Sequence, residues 1–242
     1  MAADVQSVNL WVVMASSAVI ATLVNNAVSL WTRHRDKQRE ASAAAGRQAY
    51  TQMDVAHALE AFAQRASAYL YAVHAALDAH RAHEDDAFER VDQQRLAFEF
   101  EPAPVWTDLP IQLVADVREL PVALAVSSEW ILAAFASWAD TADAYELKAQ
   151  QTMHYGLLAA ELANRIRDDA GVKPSALVAE YLGHFERTIE DVRQEYLRSA
   201  GHMVVLPALE ARFRRELATL RPSDEERSPH EISAAAAAER AQ

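Results

Sequence analysis

The densest group of side chains that could do chemistry is a run of histidines and carboxylates in the first half of the chain. His80, His83 and Glu84 are followed directly by Asp85 and Asp86. Imidazole and carboxylate groups bind zinc and other transition metals, and two histidines three residues apart share one face of a helix. A metal centre needs further ligands that converge on the ion, and a solvated acidic helix end has the same composition. We favour the helix end and predict no metal, no cofactor and no catalytic residue.

Other signatures of catalysis or of covalent cross-linking are missing from the sequence. The chain has no cysteine, which excludes disulfides, thiolate nucleophiles and cysteine-based metal sites. Its five glycines stand apart, so no glycine-rich phosphate loop is present, and neither GxSxG nor HExxH occurs. We predict a protein that is not an enzyme. The alternative is a membrane-tethered metal-binding or enzymatic helical bundle that uses His80, His83 and nearby carboxylates.

The charge of the chain argues against a nucleic-acid partner. The 242 residues carry a formal net charge of −12, and an acidic surface repels phosphate backbones. Basic residues are concentrated only at Arg33, Arg35, Lys37 and Arg39. Because that cluster directly follows a long uncharged segment, we interpret it as the flank of a membrane span and not as a site for nucleic acid.

The uncharged segment predicts a transmembrane helix over residues 8–31, preceded by a short extracytoplasmic N-terminus, residues 1–7. A spanning helix needs about 20 apolar residues, and no charged side chain occurs from Val5 to Thr32. In a helix, Trp11 and Trp31 would be about 30 Å apart, so each would lie at one membrane interface. The positive-inside rule then places the N-terminus outside and the remainder of the chain in the cytoplasm.

Small and polar residues recur within this predicted span at spacings of three and four. They are Ala15, Ala18, Thr22, Asn25 and Ser29. Such a stripe lets two helices approach closely, and an asparagine can form a hydrogen bond across the contact. It therefore predicts self-association or pairing with another membrane protein. The alternatives are a weakly hydrophobic anchor without a partner, and, ranked last, a pore built from polar membrane helices.

The rest of the chain has the composition and periodicity of helices. We expect a long heptad-bearing helix over residues 32–100, because Val55, Leu59, Phe62, Ala66, Tyr69, Val73 and Ala76 alternate in steps of four and three. Pro102 and Pro104 end it, and a linker with a short helix from Asp108 to Leu120 occupies residues 101–120. Pro121 then separates this short helix from the next one.

Residues 121–220 are predicted to form a helical bundle region. Its first helix runs from about Val122 to Asp169 and ends at a cap formed by Gly171, and a second runs from Pro174 to Ala200. A heptad pattern marks the second helix, with Val178, Leu182, Phe185, Ile189, Val192, Tyr196 and Ser199 in steps of four and three. A shorter helix follows from Pro207 to Leu220, and residues 221–242 form a disordered low-complexity tail. The predicted fold is all-α: an N-terminal transmembrane helix followed by an elongated antiparallel helical bundle or coiled coil.

One segment of the bundle region allows a second interpretation. Pro121 to Ala139 is apolar over about the length of a membrane span, with Glu129 near its middle. A second span would return the C-terminus to the outside of the cell. A charge in the middle of a membrane is costly, and a buried bundle helix has the same apolar composition, so we favour a single span.

Three short strings resemble uncharacterised bacterial single-pass membrane-anchored helical proteins. They are LEAFA at residues 59–63, WTDL followed by RELP within residues 106–121, and YGLLAAELANRIR at residues 155–167. The resemblance implies a bacterial inner-membrane setting and carries no activity. The function predicted from the sequence is that of a membrane-anchored interaction or scaffold protein. Its partners would be the lipid bilayer and either a second copy of the chain or another membrane protein.

Overall fold

The computed structural model of the chain describes residues 10–84 and 86–220, with side chains described for residues 25, 26, 28–84 and 86–216. Within these residues there are six α-helices, one short 3-10 helix at Trp106–Asp108 and no β-strand, so the predicted all-α class is confirmed. The helices are α1 Leu10–Arg81, α2 Glu89–Asp92, α3 Ile111–Ser137, α4 Thr141–Asp169, α5 Ala176–Arg198 and α6 Pro207–Leu220. The predicted N-terminus at 1–7 and tail at 221–242 lie outside the described residues.

The chain divides into two compact units, Met1–Thr51 and Gln52–Gln242. In the first unit the described backbone is helical from Leu10 onwards. Every described side chain from Asn25 to Ala45 is exposed. The helix in this unit therefore buries none of these side chains against protein.

The second unit is a helical bundle in which α4 is the central helix. Sixteen of the 29 residues of α4 are buried. It packs against α3 on one side and α5 on another, and α6 packs against α5. A part-buried ion pair between Glu60 and Arg167 joins α4 to α1 as well. Because α4 contacts several helices at once, it buries a wider face than an ordinary amphipathic surface helix does.

The two predicted heptad patterns mark the faces of α1 and α5 that pack into the core of this bundle. Of the seven residues in the α1 pattern, six are buried and Tyr69 is half-buried. In α5, Val178, Phe185, Ile189 and Tyr196 are buried, and the remaining three members of the pattern are half-buried. A helical bundle is therefore confirmed. It begins at Gln52, well before the predicted bundle region of residues 121–220.

The first long helix is shorter than predicted, because α1 ends at Arg81 and does not continue to residue 100. His83 has a left-handed backbone conformation with φ 65°, and the Glu84 amide donates to the Ala79 carbonyl over 3.1 Å. This is the hydrogen bond of a Schellman C-cap. Glycine usually occupies the left-handed position of such a cap, and His83 occupies it here. The chain then becomes irregular or extended, and Phe98 stacks on Phe62 of α1 with ring centroids 3.7 Å apart. Phe98 therefore packs on α1 through a tertiary contact, at a place where the sequence predicted that the helix would continue.

The predicted boundaries of α3 and α4 were also wrong. A single helix, α3, runs from Ile111 through Pro121 to Ser137, and Asp108 belongs to the 3-10 helix that precedes it. The break comes at Asp140, whose side chain accepts from the Asp143 amide over 2.8 Å. The Asp143 side chain in turn accepts from the Asp140 amide, and these two bonds form a capping box that starts α4. Pro121 is the eleventh of the 27 residues of α3, so it lies in the helix interior and removes one backbone hydrogen bond there without ending the helix.

The predicted stop at Gly171 is confirmed, with φ +68° in the left-handed region that a glycine enters without a steric penalty. After α5 the left-handed cap position is held by Ala200, with φ 53°, and Gly201, with φ 84°, follows it. The Gly171 amide donates to the Asp168 carbonyl over 2.9 Å and the Val172 amide to the Arg167 carbonyl over 2.8 Å. These bonds satisfy carbonyls at the end of α4 and turn the chain back toward α5.

Candidate interaction surface on α3

Helix α3 has two faces of different character. Its inner face packs on α4 through buried side chains at helical spacing, namely Leu113, Val114, Val117, Leu120, Leu124, Ser127, Ile131 and Ala134. Hydrogen bonds support this contact, because the Gln151 side-chain amide of α4 donates to the Leu124 carbonyl over 3.1 Å and to Ser128 Oγ over 2.9 Å. The orientation of α3 about its own axis is therefore determined by both apolar packing and directional bonds.

The opposite face of α3 is exposed along its whole length although most of it is apolar. We call it the outer stripe and define it by eight exposed residues: Ile111, Ala115, Arg118, Val122, Ala125, Glu129, Leu132 and Ala136. Ile111, Val122 and Leu132 are 72%, 63% and 65% exposed, and the neighbouring Val126 is 61% exposed. An exposed apolar surface of this kind commonly marks a contact with another protein or with a membrane.

The two charged residues of the outer stripe have no ion-pair partner among the described side chains. The Arg118 guanidinium lies over the Trp106 ring, 4.8 Å from its centroid. Glu129 lies in the last third of the helix and its side chain is exposed. On the rest of α3, by contrast, Asp116 forms an ion pair of 2.6 Å with Arg165 of α4. The outer stripe thus presents one cation and one anion, neither of them in an ion pair with a described side chain, within an otherwise apolar surface.

Helix α3 also meets the length and composition expected of a membrane span. Among the fully described residues it is the one helix that does so, with 27 residues and a mean hydropathy of 1.5 over its most apolar window, of which 22% is buried. Trp138 is 52% exposed just beyond the end of α3, and Trp130 within the helix is half-buried.

The histidines and carboxylates of residues 80–86, which were the alternative metal-ligand candidates, do not converge in the structure. His80, His83 and Glu84 are exposed, and Asp85 lies outside the described residues. His83 follows the end of α1 in a left-handed conformation, so His80 and His83 do not share a helical face as expected. His80 instead tilts against the Phe88 ring, with centroids 5.2 Å apart. No group of three side chains that could hold a metal ion occurs in the described part of the chain.

The residues predicted to associate or to anchor in the membrane belong to the first unit. Trp11, Ala15, Ala18 and Thr22 lie outside the described side chains. Asn25, Ser29 and Trp31 are exposed, as are the four basic residues that follow, Arg33, Arg35, Lys37 and Arg39. The Arg35 guanidinium lies 5.0 Å from the centroid of the Trp31 ring. An arginine over a tryptophan one turn away places a cation beside an amphipathic ring, an arrangement suited to a membrane interface.

A groove of about 550 Å³ lies beside α3 and is lined by residues of α3, α4 and α6. His154 lines it, and burial lowers the pKa of this histidine to about 4, with a smaller contribution from the positive charge of Arg212. Burial likewise raises the pKa of Glu161, which lies two turns further along α4. In the described residues this groove brings together charged side chains of both signs without a recognisable catalytic arrangement.

The lowered pKa of His154 predicts that acid destabilises the bundle. The unfolded chain takes up a proton at this histidine below pH 6.5, whereas the folded chain does so only near pH 4. The stability linked to His154 is therefore present above pH 6.5 and falls as the pH drops toward 4, by about 2 kcal/mol between pH 6.5 and pH 5. Urea unfolding at a series of pH values measures this slope.

Two variants test the assigned cause of the shift. His154→Gln should reduce the slope of stability against pH, and Arg212→Gln should reduce it by a smaller amount, because burial is the larger cause. An equal slope in wild type and His154→Gln would show that other groups determine the acid sensitivity.

No protein-family model, curated protein or solved structure matches this chain. The described residues form an α-helical bundle in which α3 exposes an apolar face.

Proposed function

We propose that this protein is a membrane-anchored interaction or scaffold protein whose helical bundle binds a partner through the outer face of α3. The exposed apolar stripe of α3 is the observation that carries the proposal. The exposed parts of these Ile, Val and Leu side chains contribute nothing to the stability of the bundle itself. Full burial of an exposed side chain of this kind is worth about 1.5 to 3 kcal/mol, and the partly exposed ones here would gain a large share of it. A partner that covers this face therefore finds a rigid apolar surface that is already organised.

The proposed anchor is the uncharged helix of residues 8–31, with the N-terminus outside and the bundle in the cytoplasm of a bacterium. Val28, Leu30 and Trp31 are 55%, 65% and 61% exposed in the first unit, so these apolar side chains lack protein packing. The basic residues from Arg33 to Arg39 follow them directly, as expected for the cytoplasmic side of a membrane. A lipid bilayer would cover the apolar side chains and attract the basic ones.

A docking role for α3 agrees with its contacts better than a second membrane span does. The inner face of α3 is occupied by α4, and a crossing helix would have to abandon that core and the bonds from Gln151. It would also carry Glu129 into the hydrocarbon without a partner among the described side chains, at a cost of several kcal/mol. Both costs disappear if α3 stays in the bundle and another protein covers its outer stripe.

Reporter fusions test the proposed topology. Reporters that fluoresce only in the cytoplasm, or that work only outside it, are fused after Gln48, Gln150 and Gln242. We expect a cytoplasmic signal at all three positions, because one span precedes them all. A change of side between Gln48 and Gln150 would mean that α3 crosses the membrane, and the proposed docking surface would then be wrong.

A matched pair of variants tests the docking surface itself. Val122→Asp places a charge on the outer stripe, whereas Gln112→Asp adds the same charge at an exposed position of α3 away from the stripe. In mild detergent, light scattering should give wild type and Gln112→Asp a protein mass above the 26.8 kDa of one chain, and Val122→Asp a mass nearer to one chain. Strictly monomeric wild-type protein without a co-purifying partner would contradict the proposal.

A further inference from the structure

The outer stripe of α3 has the spacing of a coiled-coil seam. Its eight members follow one another in alternating steps of four and three residues, without interruption, from Ile111 to Ala136. The stripe lies on the opposite side of α3 from the residues that contact α4, and all eight side chains are exposed. A second helix could therefore lie along the full length of α3 without displacing any helix of the bundle.

When two copies of the outer stripe are aligned in opposite directions, their side chains are complementary. Each residue then faces the residue that lies equally far from the other end of the stripe. This alignment places a large side chain opposite an alanine in three pairs and a cation opposite an anion in one. The pairs are Ile111 with Ala136, Ala115 with Leu132, Arg118 with Glu129 and Val122 with Ala125. These are also the partners that face each other in antiparallel coiled coils, in which the two seam positions of the heptad alternate across the interface.

We propose that α3 pairs in an antiparallel orientation with α3 of a second copy of this chain, about a two-fold axis between residues 123 and 124. The inference rests on the proposed function, since it assumes that the outer stripe is an interaction surface, and it names the partner. A two-fold contact uses the same surface on both subunits, so every pair occurs twice. Each alanine then leaves room for the Ile, Val or Leu opposite, which lets the two helices approach closely.

Charge determines the orientation of this pair. In the antiparallel arrangement, Arg118 of each copy meets Glu129 of the other, and both unpaired charges of the stripe gain a partner. In a parallel arrangement in register, Arg118 would face Arg118 and Glu129 would face Glu129. Like charges in contact across an interface disfavour the association that brings them together. The same two charges disfavour a lipid surface, which offers a buried carboxylate no cation at a fixed position.

Cross-linking through introduced cysteines tests the orientation, and the chain has no native cysteine to interfere. One full-length chain carries Ala115→Cys and a second, with a different tag, carries Leu132→Cys. Both are co-expressed, purified in mild detergent and treated with a short bis-maleimide. We expect the two chains to link to each other. Neither variant expressed alone should link to itself, because residues 115 and 132 are separated by about 25 Å along the helix.

Self-linking of the Ala115→Cys variant, and equally of Leu132→Cys, would show a parallel contact. It would overturn the proposed pairing while the outer stripe remained an interaction surface. A second outcome is that no cross-link forms and that another protein co-purifies with wild type but not with Val122→Asp. This result would overturn self-association, while the outer stripe would remain a docking surface for that protein. No link together with monomeric wild-type protein would overturn the inference and the proposed function alike.

A charge exchange tests the Arg118–Glu129 contact independently. Arg118→Glu alone and Glu129→Arg alone each place like charges opposite each other twice per dimer, so each should weaken self-association at least about tenfold. A mixture of the two variants restores opposite charges at both contacts, and we expect heterodimers to form between them. This recovery distinguishes a lost contact from a misfolded chain.

The matched control for this exchange is Glu119→Lys. Glu119 is an exposed carboxylate on α3 outside the outer stripe, so its reversal should leave the mass measured by light scattering unchanged. Wild-type association of both single variants, or monomers in their mixture, would overturn the proposed pairing.

Discussion

Glu60→Ala should lower the free energy of unfolding by about 3 to 5 kcal/mol, the largest effect that we expect from a single substitution in this chain. Glu60 on α1 accepts from Arg167 on α4 through two parallel bonds, of 2.5 Å from Nε and 3.0 Å from Nη2. The two side chains are only 15% and 12% exposed. The hydrogen bond that Arg167 donates to Glu60 raises the pKa of this arginine above its ordinary value. Even without that contribution an arginine is charged at neutral pH, so the Glu60→Ala substitution leaves a charge behind. An unpaired guanidinium in a nearly closed site is the source of the expected loss.

Urea unfolding followed by circular dichroism, at neutral pH and in mild detergent, measures this effect. Asp116→Ala is the matched control, because it breaks an arginine–carboxylate pair on the surface, where Arg165 and Asp116 are 58% and 46% exposed. We expect the control to cost less than about 1 kcal/mol.

The double variant Glu60→Leu with Arg167→Met should recover much of the stability, since it removes both charges and keeps similar volumes. A single variant as stable as wild type would mean that water reaches the pair and that the ion pair does not hold α1 to α4.

Gly156→Ala should lower the free energy of unfolding by about 2 to 3 kcal/mol through overpacking. A Cβ atom at this position of α4 would lie 2.5 Å from Cζ of Phe185 and 2.8 Å from two further ring atoms. Phe185 of α5 is fully buried, so its ring cannot move aside into solvent. Alanine is a better helix former than glycine by about 1 kcal/mol, and the steric conflict has to exceed that gain.

Gly183→Ala is the control for this substitution, because Gly183 lies in α5 with no neighbouring atom within 4 Å of the added Cβ. We expect it to stabilise the bundle by up to about 1 kcal/mol in the same urea titration. Phe185→Leu should lessen the cost of Gly156→Ala in a double-mutant cycle, because the smaller side chain leaves room for the methyl group. Additive effects of the two substitutions would show that Gly156 and Phe185 do not contact each other closely.

Where a helix begins and ends was less predictable from the sequence than the face it buries. The pattern from Val55 to Ala76 correctly marked the buried face of α1, because each position in a helix has a direction that depends only on spacing. The end of α1 was missed, since a histidine at the left-handed cap position gives no signal comparable to a glycine. The boundary was predicted at Pro121, whereas the start of α4 is marked by the capping box of Asp140 and Asp143.

The error at Pro121 also hid the interaction surface. With a boundary between Leu120 and Val122, residues 111–120 and 122–139 belonged to different helices and could not share a register. Once α3 is continuous, Ile111, Arg118, Glu129 and Leu132 align on a single stripe. The apolar composition of residues 121–139 was recognised, and the choice between core, membrane and interface required knowledge of which face α4 covers.

The sequence by itself determined the all-α class, the buried faces of α1 and α5 and the glycine cap at Gly171. These features depend on local spacing and on the backbone conformations that each residue tolerates. Only the tertiary structure decided that α4 is central, that Glu60 pairs with Arg167, and that the outer stripe of α3 stays exposed. Those features depend on residues far apart in the chain. Whether a helix face is buried depends on which other elements pack against it, and the periodicity of the helix's own sequence does not reveal those elements.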